Sequence, residues 1–424
     1  MKRLLSIYQN NQQAPVALLD QALVSSANFV SGVLLARFLG LKEYGIFAMA
    51  WLVVLFFGSI QQSFIIAPMQ TMVPKRDSEE RARLRTSLFL IQLSMGLAAM
   101  ALTWGFCHLS ETLFFDQTPL DGLTVVLPVA VFSFLMNEYF RKLFFSESRQ
   151  FTALVLDIIS YGTQLAGLFL VASYGELDLR RGLIIIALSN SISTVYGLLR
   201  SKGLSADFRH FLPHLREVWT YSGWLIGTSL LQWCSGNFFI ITAGGLLGPA
   251  PVGAIRMAQN VVGVLNILFL AMENFIPSNA ARIYHEHGLR YLYTYLRQVM
   301  LLAGVATLAA LSMIVVFSRE IITMLYGSGF EQYDSVLLGF SIVYAFVFTG
   351  LPLRYFIRTV EKNRDIFVSY VLSAGTSLLL AGPIVSSYGI TGVVIGLVLA
   401  QVIVQLWFLY SLRPEISRLW KSSI

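Results

Sequence analysis

Four carboxylates, Asp20, Glu138, Asp157 and Glu273, sit in stretches otherwise too apolar to favour them. A charge placed in hydrocarbon costs at least about 2.5–3.5 kcal/mol on insertion scales, so each must face protein or water, and function is the first expectation for it. A carboxylate withdrawn from water exchanges a proton near neutral pH, which is what coupling to a proton or sodium gradient requires. Asp20, Asp157 and Glu273 are therefore expected to serve ion coupling. Glu138 is a fourth candidate with a simpler alternative, because Arg141 follows it at helical spacing and can pair with it near the membrane surface.

The bases suggest a second chemistry. Arg37, Arg256 and Arg354 lie in or at the ends of apolar stretches, and arginine offers a permanent charge and a fork that fits two phosphate oxygens. Across the same stretches Asn28, Gln61, Gln62, Asn260, Asn266 and Asn274 offer neutral hydrogen bonds suited to sugar hydroxyls. Gln21, Ser25, Asn28 and Gly32 recur at spacings of four, three and four and share one helix face that lipid does not suit. Asp20 and Asn28 are expected to line a cavity, Ser25 and Gly32 to seal a helix seam. Arg37 also reads as a side chain snorkelling to the surface.

No enzymatic constellation accompanies these groups. His285-Glu286-His287 lacks the spacing of a zinc protease, and no glycine-rich phosphate loop with its lysine occurs. Cys107 and Cys234 fall in apolar spans and suggest neither a disulfide framework nor a metal site. No cofactor, no metal and no enzyme activity are expected, and energy must come from an ion, potential or substrate gradient.

The elements that hold these residues are membrane helices. The chain of 424 residues is 56% hydrophobic and 12% charged, against about a quarter charged in soluble domains, and its mean hydropathy is +0.68. Apolar runs long enough to cross about 30 Å as helices recur throughout, with no alternating barrel pattern. They predict an all-α polytopic membrane protein with spans at 15–37, 45–70, 84–107, 119–140, 151–173 and 179–200, then 217–243, 252–280, 292–317, 335–357, 365–385 and 388–412. Residues 1–200 form one six-helix lobe, 201–216 a polar connector, and 217–424 a second lobe.

The net charge of +7 belongs to the loops rather than to a nucleic-acid partner. With the N-terminus inside, the inner segments hold Lys2, Arg3, Lys75, Arg76, Arg81, Arg83, Arg85, Arg141, Lys142, Arg149, the connector, Arg282, Arg290, Arg358, Lys362, Arg364, Arg413, Arg418 and Lys421. The outer loops hold only Arg37, Lys42, Arg180, Arg181 and Arg319. That asymmetry predicts twelve spans with both termini on the cytoplasmic side.

The halves also look alike. Ser26-Ala27-Asn28-Phe29, Gly40, Gly45 and Met49-Ala50 return as Ser235-Gly236-Asn237-Phe238, Gly248, Gly253 and Met257-Ala258. Tyr139-Phe140 and Phe151 are echoed by Tyr355-Phe356 and Phe367, and Pro68 by Pro277. A repeat of six spans keeps one orientation, so the lobes are expected to be related by a pseudo-two-fold axis along the membrane normal.

Leu18-Leu19-Asp20-Gln21, Ser26-Ala27-Asn28-Phe29, Ala36-Arg37-Phe38-Leu39-Gly40, Tyr44-Gly45 and Phe47 resemble the opening of bacterial polysaccharide transporters. These are the O-antigen-type flippases of the multidrug/oligosaccharidyl-lipid/polysaccharide exporter superfamily. The resemblance implies two six-helix lobes around a central V-shaped cavity that opens alternately to either face, with spans 1, 2, 7 and 8 at its lateral portals. It implies transport of a lipid-linked oligosaccharide, carried on undecaprenyl pyrophosphate, from the cytoplasmic to the periplasmic leaflet of the bacterial inner membrane. Such a protein serves lipopolysaccharide, O-antigen or exopolysaccharide synthesis beside membrane lipids, H+ or Na+, and the glycan polymerase and assembly machinery. An alternative within the superfamily is a multidrug antiporter for organic cations. An alternative of another class, a polytopic glycosyltransferase or ligase, is disfavoured by the short outer loops.

Overall fold

A single glycine turns the first hairpin. The computed structural model describes residues 2–113, 122–201 and 209–421, and the side chains of 2–14, 18, 111–113, 274 and 419–421 are outside that description. Helix α1 (Lys2–Gln61) runs through both arms of the hairpin and breaks only at Gly40, where φ is 75° and ψ 172°. An L side chain at that φ is strained, whereas glycine adopts it freely. Gly248 repeats the conformation, with φ 85° and ψ −177°, between α7 (Phe211–Leu247) and α8 (Pro249–Val262).

The remaining helices follow in order: α2 (Ala67–Met72), α3 (Ser78–Leu113), α4 (Val126–Ser146), α5 (Gln150–Ser173) and α6 (Leu179–Arg200) before α7. After α8 come α9 (Asn266–His287), α10 (Leu289–Val316), α11 (Ser318–Tyr326), α12 (Asp334–Thr359), α13 (Asn363–Ser411) and α14 (Arg413–Lys421). Among the described residues there is no strand.

Among the described residues, nine helical stretches are long and apolar enough to cross a membrane. Two of them, Pro15–Lys75 with 61 residues and Asn363–Ser411 with 49, far exceed the roughly 20 needed for one crossing. Each is two crossings joined at a glycine, Gly40 in the first and Gly389 (φ 57°) in the second. Helix α4 falls short of that apolar standard because Glu138, Arg141 and Lys142 lie within its 21 residues, although its length spans about 31 Å. With α4 and the two doubled stretches, the chain makes the twelve crossings expected of a multi-pass membrane protein.

The turns show how the halves correspond. After α4, Arg149 N donates to Phe144 O (2.8 Å) and Ser148 N to Phe145 O (3.1 Å); after α12, Lys362 N donates to Ile357 O and Glu361 N to Arg358 O, both at 3.1 Å. Both are Schellman closures, and both place a residue other than glycine in the left-handed region, Ser148 at φ 58° and Glu361 at φ 59°. Matching Ser148 to Glu361 corrects the pairing of Tyr139-Phe140 with Tyr355-Phe356, which is three residues out of step. A slip of three is nearly one helical turn, so the aromatic pattern survives it on the same face. The correct register equates Arg141 with Arg354, each seven residues before its left-handed residue. Ser173-Tyr174-Gly175 and Ser387-Tyr388-Gly389 are a further repeat, and Gly175 also has positive φ (70°).

The chain divides into two compact units, Met1–Leu230 and Leu231–Ile424. In the first, α1 packs on α5, and α4 on α3, α5 and α6, over a core that includes Leu88, Leu135, Phe140, Phe144 and Leu156. In the second, α12 packs against α8, α10 and α13, over Leu292, Tyr355, Ile357 and Phe408.

One irregular segment joins α1 to α2. Residues Gln62–Ile66 form a π-helical turn just before Pro68, and Pro68 has no N–H to give the carbonyl of Phe64 four residues back. Ser222 Oγ on α7 donates to that carbonyl instead, at 3.1 Å, so a buried acceptor is satisfied across helices.

Candidate functional site

Three helices of the first unit converge on one guanidinium. Charge patterning assigns Arg141 to an inner loop, but the apolar run Leu143-Phe144-Phe145 carries α4 on to Ser146, and Arg141 lies inside the helix, 8% exposed. Its Nε donates to Asp157 Oδ2 of α5 at 2.6 Å and its Nη2 to Asp20 Oδ2 of α1 at 2.9 Å. Nη1 stands 3.6 Å from Glu138 Oε2, while Glu138 Oε1 lies 3.3 Å from Lys142 Nζ. Both aspartates are wholly buried.

The charges in this cluster do not balance. Arg141 and Lys142 face Asp20, Asp157 and Glu138, one anion in excess if all are ionised. Burying an unbalanced charge costs several kcal/mol after relaxation, although Glu138 and Lys142 keep 23% and 25% of their side chains exposed. Both aspartates bind the same guanidinium through Oδ2, and Oδ1 of each is buried with no hydrogen-bond partner.

A polar seam continues beyond the cluster in the first unit. On α4 and α5 the next turn carries Asn137 and Ser160; Asn137 Nδ2 donates to Ser160 Oγ (3.4 Å) and Ser160 Oγ to Asn190 Oδ1 of α6 (3.3 Å). Ser193 Oγ donates to Asn137 Oδ1. Further along, Gln164 Nε2 donates to Ser31 Oγ at 2.8 Å. Asn28 is exposed and its Nδ2 lies 3.5 Å from Tyr161 OH on α5.

The other predicted residues are distributed as follows. In the first unit, Gln61 is buried and its Nε2 donates to Gln92 Oε1 (2.9 Å) and Leu135 O (2.6 Å), bracing α1 against α3 and α4. Gln62 and Arg37 are exposed.

In the second unit, Arg256 is half-buried with Nη1 3.4 Å from Gln259 Oε1. Asn266 donates to the Tyr344 hydroxyl at 3.2 Å and Asn260 to Tyr326 OH at 3.0 Å. Glu273 pairs with Arg358 at 2.9 Å, the two side chains 39% and 42% exposed. Asn274 is outside the described side chains.

Arg354 is partly buried, and its Nε has no hydrogen-bond partner; the hydroxyl of adjacent Tyr355 is likewise buried and unpartnered. The positions equivalent to Asp20 and Asp157, counted from the glycine joint and the left-handed turn, are Thr228 and Tyr370. Neither is a carboxylate. Among the described residues no group of three or more histidine, cysteine or carboxylate side chains forms a metal site.

Residues 34–335 match the protein family described as Polysaccharide biosynthesis protein. No curated protein sequence matches the chain. Among solved structures, the chain is similar to an inward-facing multidrug resistance MATE family transporter of the MOP superfamily, with 14% identity, a TM-score of 0.75 and coverage of 94% of this chain and 96% of the other. It is also similar to the lipid II flippase MurJ in an inward closed conformation, at 14% identity and a TM-score of 0.70, covering 93% and 87%. A MOP superfamily transporter from Pyrococcus furiosus, described as having a binding pocket of reverse polarity, matches at 14% identity and a TM-score of 0.65 over 96% and 95%. At these identities the likeness is one of fold.

Proposed function

The chain belongs to the polysaccharide biosynthesis protein family, and on that premise we propose that it is a flippase for a lipid-linked oligosaccharide. It carries an undecaprenyl-pyrophosphate-linked repeat unit from the cytoplasmic to the periplasmic leaflet of a bacterial inner membrane by alternating access, with both termini cytoplasmic. The observation that carries this reading is Arg354, a guanidinium within a membrane helix whose Nε is buried and unpartnered. An unsatisfied buried donor calls for a ligand, and a pyrophosphate is an anion that an arginine fork fits. Arg256 supplies a second cation, and the Asn266–Tyr344 pair neutral hydrogen-bonding groups for phosphate or sugar.

Coupling falls to the first unit. Asp20 and Asp157, supported by Glu138, take up H+ or Na+ as the driving ion, and the cluster's excess negative charge is the reason to place it there. Glu273 is a weaker candidate for this task, since its partner Arg358 and its exposure leave little to be gained by protonation. The multidrug antiporter reading draws on the same two aspartates, but Arg141 already supplies them with a cation, which counts against an organic cation as cargo.

The test is translocation of a defined pyrophosphate-linked oligosaccharide lipid in vesicles holding the purified protein. The lipid should become accessible to an outside glycan-cleaving enzyme faster than in empty vesicles, and an imposed proton or sodium gradient should change the rate. Extrusion of organic cations without lipid movement would replace this reading by the antiporter.

A further inference from the structure

We propose that the groove between α12 and the second arm of α13 binds a zwitterionic phospholipid from the leaflet at its open end, with an acyl chain in the groove and the headgroup amine at Asp334. The groove encloses about 760 Å3 within the second unit, and neither Arg354 nor Arg256 lines it. At its floor the helices approach closely: a Cβ on Gly339 would lie 2.8 Å from Val394 Cγ2, so no side chain separates them at that point. Val336, Leu338 and Ile342 of α12 and Ile395, Val398 and Val402 of α13 form the walls, with Ile342 and Ile395 exposed at the rim. Beyond them Gln405 Nε2 donates to Phe346 O at 2.6 Å and Thr349 Oγ1 to Gln405 Oε1 at 3.3 Å, which ties the helices together and closes the far end.

Length and polarity fit an amphiphile of one leaflet. On α13 the groove runs from Ile390 to Val402, about 18 Å at 1.5 Å per residue and a little over half of the roughly 30 Å hydrocarbon core. It therefore starts at the membrane surface where spans 335–357 and 388–412 begin, the periplasmic side in the proposed topology, and ends near the midplane. Its polar groups, Gln332, Tyr333, Ser335 and Thr391, are gathered at the surface end. Head and tail of a lipid are disposed in the same order.

Charge then chooses among lipids. No basic side chain lines the groove. The charge at its mouth is Asp334, set between the lining residues Tyr333 and Ser335 and without an ion-pair partner among the described residues; nearby Glu331 is already paired with Arg319 at 3.4 Å. An anionic head finds no cation here and meets a carboxylate, which disfavours an acidic phospholipid and the pyrophosphate-linked cargo alike, whereas an ammonium gains a partner. Within a bilayer an apolar chain has no hydrophobic reason to prefer the groove to the surrounding lipid. Selectivity therefore resides in the headgroup.

The experiment is native mass spectrometry of the full-length protein in detergent, with equal amounts of phosphatidylethanolamine and phosphatidylglycerol bearing the same chains. Wild type should retain one lipid and prefer phosphatidylethanolamine about fivefold. Asp334→Asn should keep the adduct and lose the preference. Ile342→Trp and Val398→Trp, which fill the groove from its two walls, should lose the adduct; Leu302→Trp, at an exposed position of α10, should keep it. Ile342 is itself exposed, so its variant fills the groove without disturbing the core.

An adduct that survives both groove tryptophans overturns the proposal, as does a wild type that retains no lipid or prefers phosphatidylglycerol, or a preference that persists in Asp334→Asn. Displacement of the adduct by an equal amount of geranylgeranyl pyrophosphate overturns it too, since the groove would then belong to the cargo.

Discussion

Arg141 and Arg354 hold the same place in the two halves of the chain, seven residues before a left-handed turn residue, yet their surroundings are opposite. Arg141 has three carboxylates within 4 Å; Arg354 has no ion-pair partner among the described residues, and Thr228 and Tyr370 stand where its acids would be. The two halves share a scaffold, down to the glycine joints and the Schellman turns, but not its charges. A shared backbone thus carries two chemistries, one that holds a cation or proton and one that calls for an anion.

The largest effect expected from breaking this contrast is on transport. Arg354→Ala should lower lipid-linked oligosaccharide movement by about a hundredfold, the loss of roughly 2.7 kcal/mol at a charged contact, with unchanged amounts of protein in the membrane. Normal movement would return Arg354 to a structural role.

Next comes stability, where the order of the two arginines should invert. Arg141→Leu leaves two buried aspartates without their cation and should cost about 3–5 kcal/mol, read as a lower Tm in detergent. Arg354→Leu should cost under about 1 kcal/mol, since it removes no made hydrogen bond. Equal losses in the two variants would show that the surroundings do not differ as described.

The contrast can also be transplanted. Tyr370→Asp places a carboxylate where Asp157 stands in the first unit, and should slow transport about tenfold near neutral pH by occupying Arg354. Acid conditions should restore part of the rate, because protonation releases the arginine. A rate insensitive to pH in this variant would mean that the new acid does not reach it.

The smallest effect belongs to the exposed pair of the second unit. Glu273→Gln should change stability by less than about 1 kcal/mol, in contrast to either aspartate of the first unit, and a larger loss measured by Tm would place Glu273 in a buried network.

The sequence made the spans plain, because each crossing needs about 20 apolar residues and the chain supplies them in discrete runs. The first hairpin was equally legible, since Gly40 and Gly248 recur in matching surroundings and only glycine takes their φ without strain. Asp20 and Asp157 were legible as expensive residues, but not as neighbours: 137 positions separate them. Arg141 was hidden for a different reason. A basic pair after Tyr139-Phe140 looks like the start of an inner loop, and only the acids contributed by α1 and α5 let a helix bury it. Glu138, Arg141 and Lys142 within one turn, followed at once by Leu143-Phe144-Phe145, were the available signal. Gln61 likewise reads as a sugar ligand until α3 and α4 are packed around it. The register of the second half was obscured because aromatic residues recur one turn apart on α12.

The central claim is that the unpaired arginine of the second unit receives the pyrophosphate of the cargo. The most direct measurement compares wild type, Arg354→Lys and Arg354→Ala in vesicles loaded with one pyrophosphate-linked oligosaccharide lipid, following its appearance in the opposite leaflet. The account predicts rapid movement with wild type, slower movement with lysine, which keeps the charge but loses the fork, and movement about a hundredfold slower than wild type with alanine. Equal rates in all three would contradict it.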